Sequence, residues 1–196
     1  MKDIHQRLSE IKGKITDSSF RENKGLGNEI GFHIFDYEPE VEMIVREYIH
    51  NLRRQMKIEF EDVSIKEFDL YDIMLNALNE KGYLEKNFQM EEKKGSEYVF
   101  KATEKTLRLT SQKEDNKIVQ YIIDNTDNND IVFLTGVGKV WPIIRSHTVL
   151  NNLHRALDHV PVVLFFPGTY DGGALILFNE LKDDNYYRAF QLVDKY

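Results

Sequence analysis

The sequence predicts an α/β protein, a three-layer sandwich built on a mainly parallel sheet of about five strands, and three observations carry that prediction. Segments with strand character alternate with segments of helical period along the chain. Two of the strand segments, Ile131 to Thr135 and Val162 to Phe166, are apolar at almost every position. A strand of that kind is covered on both faces, and the crossover helices of a parallel sheet supply the cover. Glycine-bearing turns follow both of these strands, as in Rossmann-like or P-loop-like domains. The chain's 196 residues suffice for one core, so residues 1–196 are expected to form a single α/β domain.

The elements follow in order. Ile4, Leu8, Ile11 and Ile15 make a helical stripe, which predicts an N-terminal amphipathic helix within residues 1–20. Ile30 to Phe35 is a strand, and Pro39 suits the first turn of the helix that Val41, Val45, Ile49 and Leu52 continue. Val63, Ile65 and Phe68 alternate with polar residues as a half-covered strand, and a helix runs from Leu70 to Gly82. Residues 85–127 read as a charged helical insert of mixed sign, closing with a helix from Lys117 to Asn125. After the strand at Ile131, Pro142 marks a helix start with Leu150, Leu153 and Leu157 on its stripe, and Pro161 opens the next strand. Gly173 to Leu181 fits a short helix or an antiparallel strand, and Tyr186 to Val193 fits a terminal strand.

Composition removes several classes of function. The absence of cysteine excludes disulfides, thiolate zinc sites and a cysteine nucleophile, and suits a reducing compartment. The first ten residues lack the apolar core of a signal peptide and no later run reaches the roughly 20 apolar residues of a membrane span, so a soluble, cytoplasmic protein without membrane contact is expected. A formal net charge of -7 disfavours nucleic acid as a partner.

Thr135-Gly-Val-Gly-Lys139 is the nearest approach to a phosphate loop, and it fails in detail. A Walker loop needs glycine where Phe133 stands and a magnesium-binding hydroxyl where Val140 stands, so no functional Walker motif is present. In a parallel sheet the turns after Phe35, Phe68, Thr135 and Phe166 open at the carboxyl edge, where ligands bind. That edge gathers Asp36, Tyr37, Asp69, Tyr71, Gly136, Gly138, Lys139, Tyr170 and Asp171 as a candidate recognition surface; the same glycines equally suit tight turns and the same acids equally suit helix caps. Trp141, Arg145, Asp183, Tyr186, Tyr187 and Arg188 extend the candidate surface, because aromatic and arginine side chains anchor interfaces and also fill cores.

No catalytic or metal set emerges. His147 and His154 lie too far along one helix, roughly 10 Å, to share a zinc. Asp183 and Asp184 point to different sides, and Ser146 lacks the G-x-S-x-G elbow of a hydrolase. No cofactor and no enzymatic activity are expected.

Several segments, read together, carry a likeness. Gly25-Leu-Gly-Asn-Glu-Ile30 with Ile34-Phe-Asp-Tyr37, Phe68-Asp-Leu-Tyr-Asp72, Thr135 to Asn152, Phe166-Pro-Gly-Thr-Tyr-Asp-Gly172 and Leu181 to Phe190 resemble the BrxB family of BREX (bacteriophage exclusion) systems, in family order. The resemblance implies a component of a phage-defence and DNA self-methylation assembly that includes the methyltransferase PglX, the ATPase BrxC and the phosphatase-like PglZ. It implies no catalytic residue. It implies an adaptor that contacts another BREX protein, PglZ first and PglX or BrxC next. A nucleotide- or phosphate-binding regulatory subunit using Thr135 to Lys139, or a DNA-contacting subunit using Arg145 and Arg155, are the alternatives.

Overall fold

In the computed structural model, which describes residues 2–21, 31–109, 115–153, 157, 159–182 and 189–196 but not the His147 side chain, the first helix opens with a capping box. Asp3 accepts from the Gln6 backbone N–H and Gln6 accepts from that of Asp3, so two orphan donors of α1 (Ile4–Thr16) are satisfied together. Leu8, Ile11 and Ile15 are buried as their spacing predicts, and Arg7 is buried with them. The short α2 (Ser18–Arg21) follows. Strand β1 (Phe32–Tyr37) runs on past Phe35, which draws Asp36 and Tyr37 into the sheet. A 3-10 turn over Pro39–Val41 leads into α3 (Glu42–Glu59), so Pro39 does stand at a helical start.

Strand β2 (Ser64–Asp69) passes directly into α4 (Leu70–Glu80). The charged segment has two parts. Helices α5 (Leu84–Lys94) and α6 (Ser96–Thr106) hinge at Gly95, and between them bury only Thr103. Leu107 and Leu109 then enter the core, as do Ile118, Val119 and Ile122 of α7 (Lys117–Asp124), which is capped by the Asn116 side chain. After β3 (Asp130–Thr135) comes a single turn, α8 (Val137–Val140). The helix expected from Pro142 begins instead at Ser146, as α9 (Ser146–Leu153). The Trp141–Pro142 peptide is cis, and residues 141–144 form a turn in which the Ile144 N–H donates to the Val140 carbonyl at 3.0 Å. Strand β4 (Val162–Tyr170) continues beyond Phe166, and Gly173 to Leu181 proves antiparallel: β5 (Leu175–Leu177) pairs with β4 and with β6 (Leu181–Lys182). The terminal strand β7 (Phe190–Gln191) is short and parallel to β1, while Tyr186 to Arg188 lie outside the described residues.

The sheet order is β2-β3-β4-β1-β7, all parallel, with the β5–β6 ribbon hanging from β4. Side-chain alternation along the central strands divides the core in two. Val132, Leu134, Val162, Leu164 and Phe166 face α4, α7, α8 and α9, whereas Ile131, Phe133, Val163 and Phe165 face α1 and α3. The path from β1 to β2 crosses one face in one direction, and the paths from β2 through β3 to β4 cross the opposite face in the opposite direction. That combination keeps the crossovers of one hand. It also brings the turns after β2, β3 and β4 to a common carboxyl edge.

Candidate functional site

At that edge the turn after β3 is built around a carboxylate from β2. Asp69 caps α4, accepting from the N–H groups of Tyr71 at 3.0 Å and Asp72 at 3.4 Å. Its other oxygen pairs with Lys139, whose ammonium also lies 5.5 Å from the Tyr71 ring centroid. Gly136 holds a left-handed φ of 74°, and a side-chain carbon there would meet Asp69 Cγ at 2.8 Å. The Thr135 hydroxyl donates to Glu67 at 3.1 Å. Asp69, Tyr71, Gly136 and Lys139 are thus brought together, but as a capped and charge-paired turn. Both polar groups of the near-Walker loop face carboxylates, which repel an incoming phosphate.

Three candidate surface residues are interior. Asp36 is fully buried: it accepts from Arg7 at 3.0 Å, from Gln191 at 3.0 Å, from the Tyr170 N–H at 2.9 Å and from Lys195 at 2.5 Å. Arg7 also donates to the Asp36 carbonyl at 2.7 Å and lies 4.6 Å over the Phe35 ring, while its Nε has no partner among the described residues. The buried Asp36 charge persists because four donors saturate its carboxylate. Tyr37 donates to Glu42, and burial followed by the Glu42 charge raises its phenol pKa far above the ordinary value. Tyr170 is also buried and donates to the Ala189 carbonyl at 2.8 Å. Asp36, Tyr37 and Tyr170 therefore belong to the core and not to a recognition surface. An apolar-run reading ends a strand at its first polar residue, whereas here two cations draw that residue inside.

Two of the remaining candidates, Trp141 and Arg145, border a cleft of about 310 Å³ between α8, the turn at residues 141–144 and the β5–β6 ribbon. Phe166, Leu175 and Leu177 contribute to its apolar surface, and Trp141, Arg145, Glu180 and Lys182 stand in its wall. Trp141 is 45% exposed, and Arg145 has no ion-pair partner among the described residues. Gly138 lies behind it, against the Phe178 ring and Pro167. Asp171 is exposed and closes the turn before β5, accepting from Ala174 at 2.7 Å and Gly173 at 3.0 Å; these bonds, that from Ala174 first, lower its pKa. Asp183, Asp184, Tyr186, Tyr187, Arg188, His154 and Arg155 lie outside the described residues.

Sequence reasoning missed Arg7, Gln191 and Lys195. For Arg7 a signal existed, since it falls on the stripe between Ile4 and Leu8. Among the described residues no group of three His, Asp or Glu side chains is placed to hold a metal, and no helix is long and apolar enough to cross a membrane.

A family model described as BREX protein BrxB matches residues 66–192. The chain belongs to the BrxB family. A BREX protein BrxB of Bacillus cereus (strain H3081.97) is 64% identical to it over 195 residues, covering 100% of both chains. One from Escherichia coli O9:H4 (strain HS) is 36% identical over 192 residues, covering 97% of this chain and 92% of the relative. No solved structure matches. In this BrxB-family chain both the capped Asp69 turn and the Trp141 cleft fall inside the matched region.

Proposed function

We propose that this BrxB-family chain is a non-enzymatic adaptor of a BREX phage-defence and DNA self-methylation assembly. It holds another BREX protein at the Trp141 cleft, with PglZ the first candidate and PglX or BrxC next. The carrying observation is the cleft itself. It offers apolar surface beside an exposed tryptophan and an arginine that has no ion-pair partner among the described residues, the side chains that most often dominate binding energy at interfaces. A hollow of about 310 Å³ accommodates one or two partner side chains, as an anchor pocket does.

The test is co-purification of the tagged chain with each of the three proteins in turn. Capture of one of them, weakened about thirtyfold by Trp141→Ala, supports the reading, a factor that corresponds to about 2 kcal/mol. A monodisperse monomer that captures none of them overturns it, as does capture indifferent to Trp141→Ala and Arg145→Ala together. The phosphate-binding alternative gains no support from a loop whose Lys139 is already paired with Asp69. Thermal stabilisation by millimolar ATP, lost in Lys139→Ala, would revive it.

A further inference from the structure

We infer that the open edge of β2 is a docking edge for an acidic, extended polypeptide segment, which joins the sheet as an added strand. Strand β2 ends the sheet order and pairs only with β3, so the outward backbone groups of residues 64–69 have no protein partner among the described residues. Two hollows flank this edge, of about 730 Å³ and about 370 Å³, and both are lined by Arg53 and Lys66. They form one trough along the strand.

Its charge is uneven. The larger hollow, toward the end of α3, gathers His50, Arg53, Arg54, Lys57 and Lys66 against Glu61 as its one acid among the described residues, in a chain of net charge -7. Arg53 is paired with Glu67 at 2.7 Å, whereas Arg54, Lys57 and Lys66 have no carboxylate partner among the described residues. A single lysine guards many edge strands against unwanted pairing. Four cations lining one hollow go further and select an acidic occupant by charge complementarity. The smaller hollow, along the carboxyl half of β2, sets Glu67, Asp69 and Asp72 against the shared Arg53 and Lys66, so acids outnumber cations there.

That reversal favours a peptide over nucleic acid. A phosphate backbone is uniformly negative and would run onto three acids, while a peptide can be acidic over α3 and neutral or basic beyond. Main-chain donors and acceptors on the open edge also match those of an extended peptide. The site lies at the outer edge of the sheet, away from the Trp141 cleft, and stands independently of the partner proposed there.

Fluorescence anisotropy on the full chain, with labelled ten-residue peptides, tests this assignment. The probes are a Glu/Val-alternating peptide, its Lys/Val counterpart, an N-methylated form of the acidic peptide, and a 20-nucleotide single-stranded DNA. The expected result is saturable binding of the acidic peptide, at least tenfold weaker after N-methylation and at least tenfold weaker to Arg54→Glu/Lys57→Glu. Both residues are exposed on α3, and circular dichroism verifies that the variant is folded; Lys66→Glu serves as a second variant. Slower amide exchange of residues 64–69 with the acidic peptide bound gives further support. The assignment is overturned by no binding at millimolar peptide, by equal binding of the N-methylated form, by tighter binding of the DNA, or by indifference to charge reversal in both variants.

Discussion

Arg7 and Asp36 form an ion pair of 3.0 Å in which the side chains are 6% and 0% exposed. The pair fastens α1 to the end of β1, and Gln191 of β7 and Lys195 beyond it converge on the same carboxylate. Asp36→Ala leaves the Arg7 guanidinium buried beside a void, so it should cost about 3–5 kcal/mol of stability, by urea denaturation. Lys195→Ala, whose side chain is partly exposed, should cost about 1 kcal/mol or less. Equal losses in the two variants would show that the carboxylate is not the centre of this network.

His33 gives the protein a defined acid sensitivity. Its ring packs against Phe20 at 4.6 Å and Phe190 at 5.9 Å; burial first, and the Lys14 charge second, lower its pKa from 6.5 to about 4. Between those values the unfolded chain binds the proton and the folded chain does not. The contribution of the neutral ring to stability is therefore fully present above pH 6.5 and is lost as pH falls toward 4. Melting temperature should decline through that window, and His33→Phe should flatten the decline. An unchanged profile in the variant would assign the acid sensitivity elsewhere.

Gly136 and Gly138 stand in one turn but should respond differently to alanine. At Gly136 the new carbon collides with Asp69 in a left-handed backbone, so the cap of α4 and the Lys139 pair are both disturbed, at about 2 kcal/mol or more. At Gly138 it meets the Phe178 ring, which is 37% exposed and free to swing aside, at under about 1 kcal/mol. Thermal melts of the two variants decide; a larger loss at Gly138 contradicts the account.

Local stability should also be uneven. Helix α5 buries no residue, whereas every residue of β3 is buried. Amide exchange of α5 should run orders of magnitude faster than that of β3, since opening α5 breaks few apolar contacts. Comparable protection of the two elements would contradict this account.

The alternation of apolar strands and striped helices was legible because burial on both faces, or on one, leaves periods of its own in the residues. Val162 to Phe166, an unbroken apolar run, and the Val45, Ile49 and Leu52 stripe are cases where the pattern alone located core. The polar interior was not legible in that way. Asp36 is inside because Arg7, Gln191 and Lys195 converge on it from distant parts of the chain, and no local pattern encodes that meeting. The Asp69 turn was half legible: its residues were named, while the choice between cap and recognition surface depended on where the lysine of another loop came to rest. The β2 trough went unnoticed because its cations come from α3 and β2, and only the strand order shows that β2 is an edge.

That strand order has a kinetic consequence. β1 emerges early in synthesis, but its neighbours are β4 and β7, with Phe32 opposite Val162 and His33 opposite Phe190. The β2–β3 pairing can form while both flanks of β1 still wait for strands not yet made. Folding must therefore finish through distant pairings, which slows it, and during that interval an apolar strand with two open sides is accessible to chaperones or to other chains.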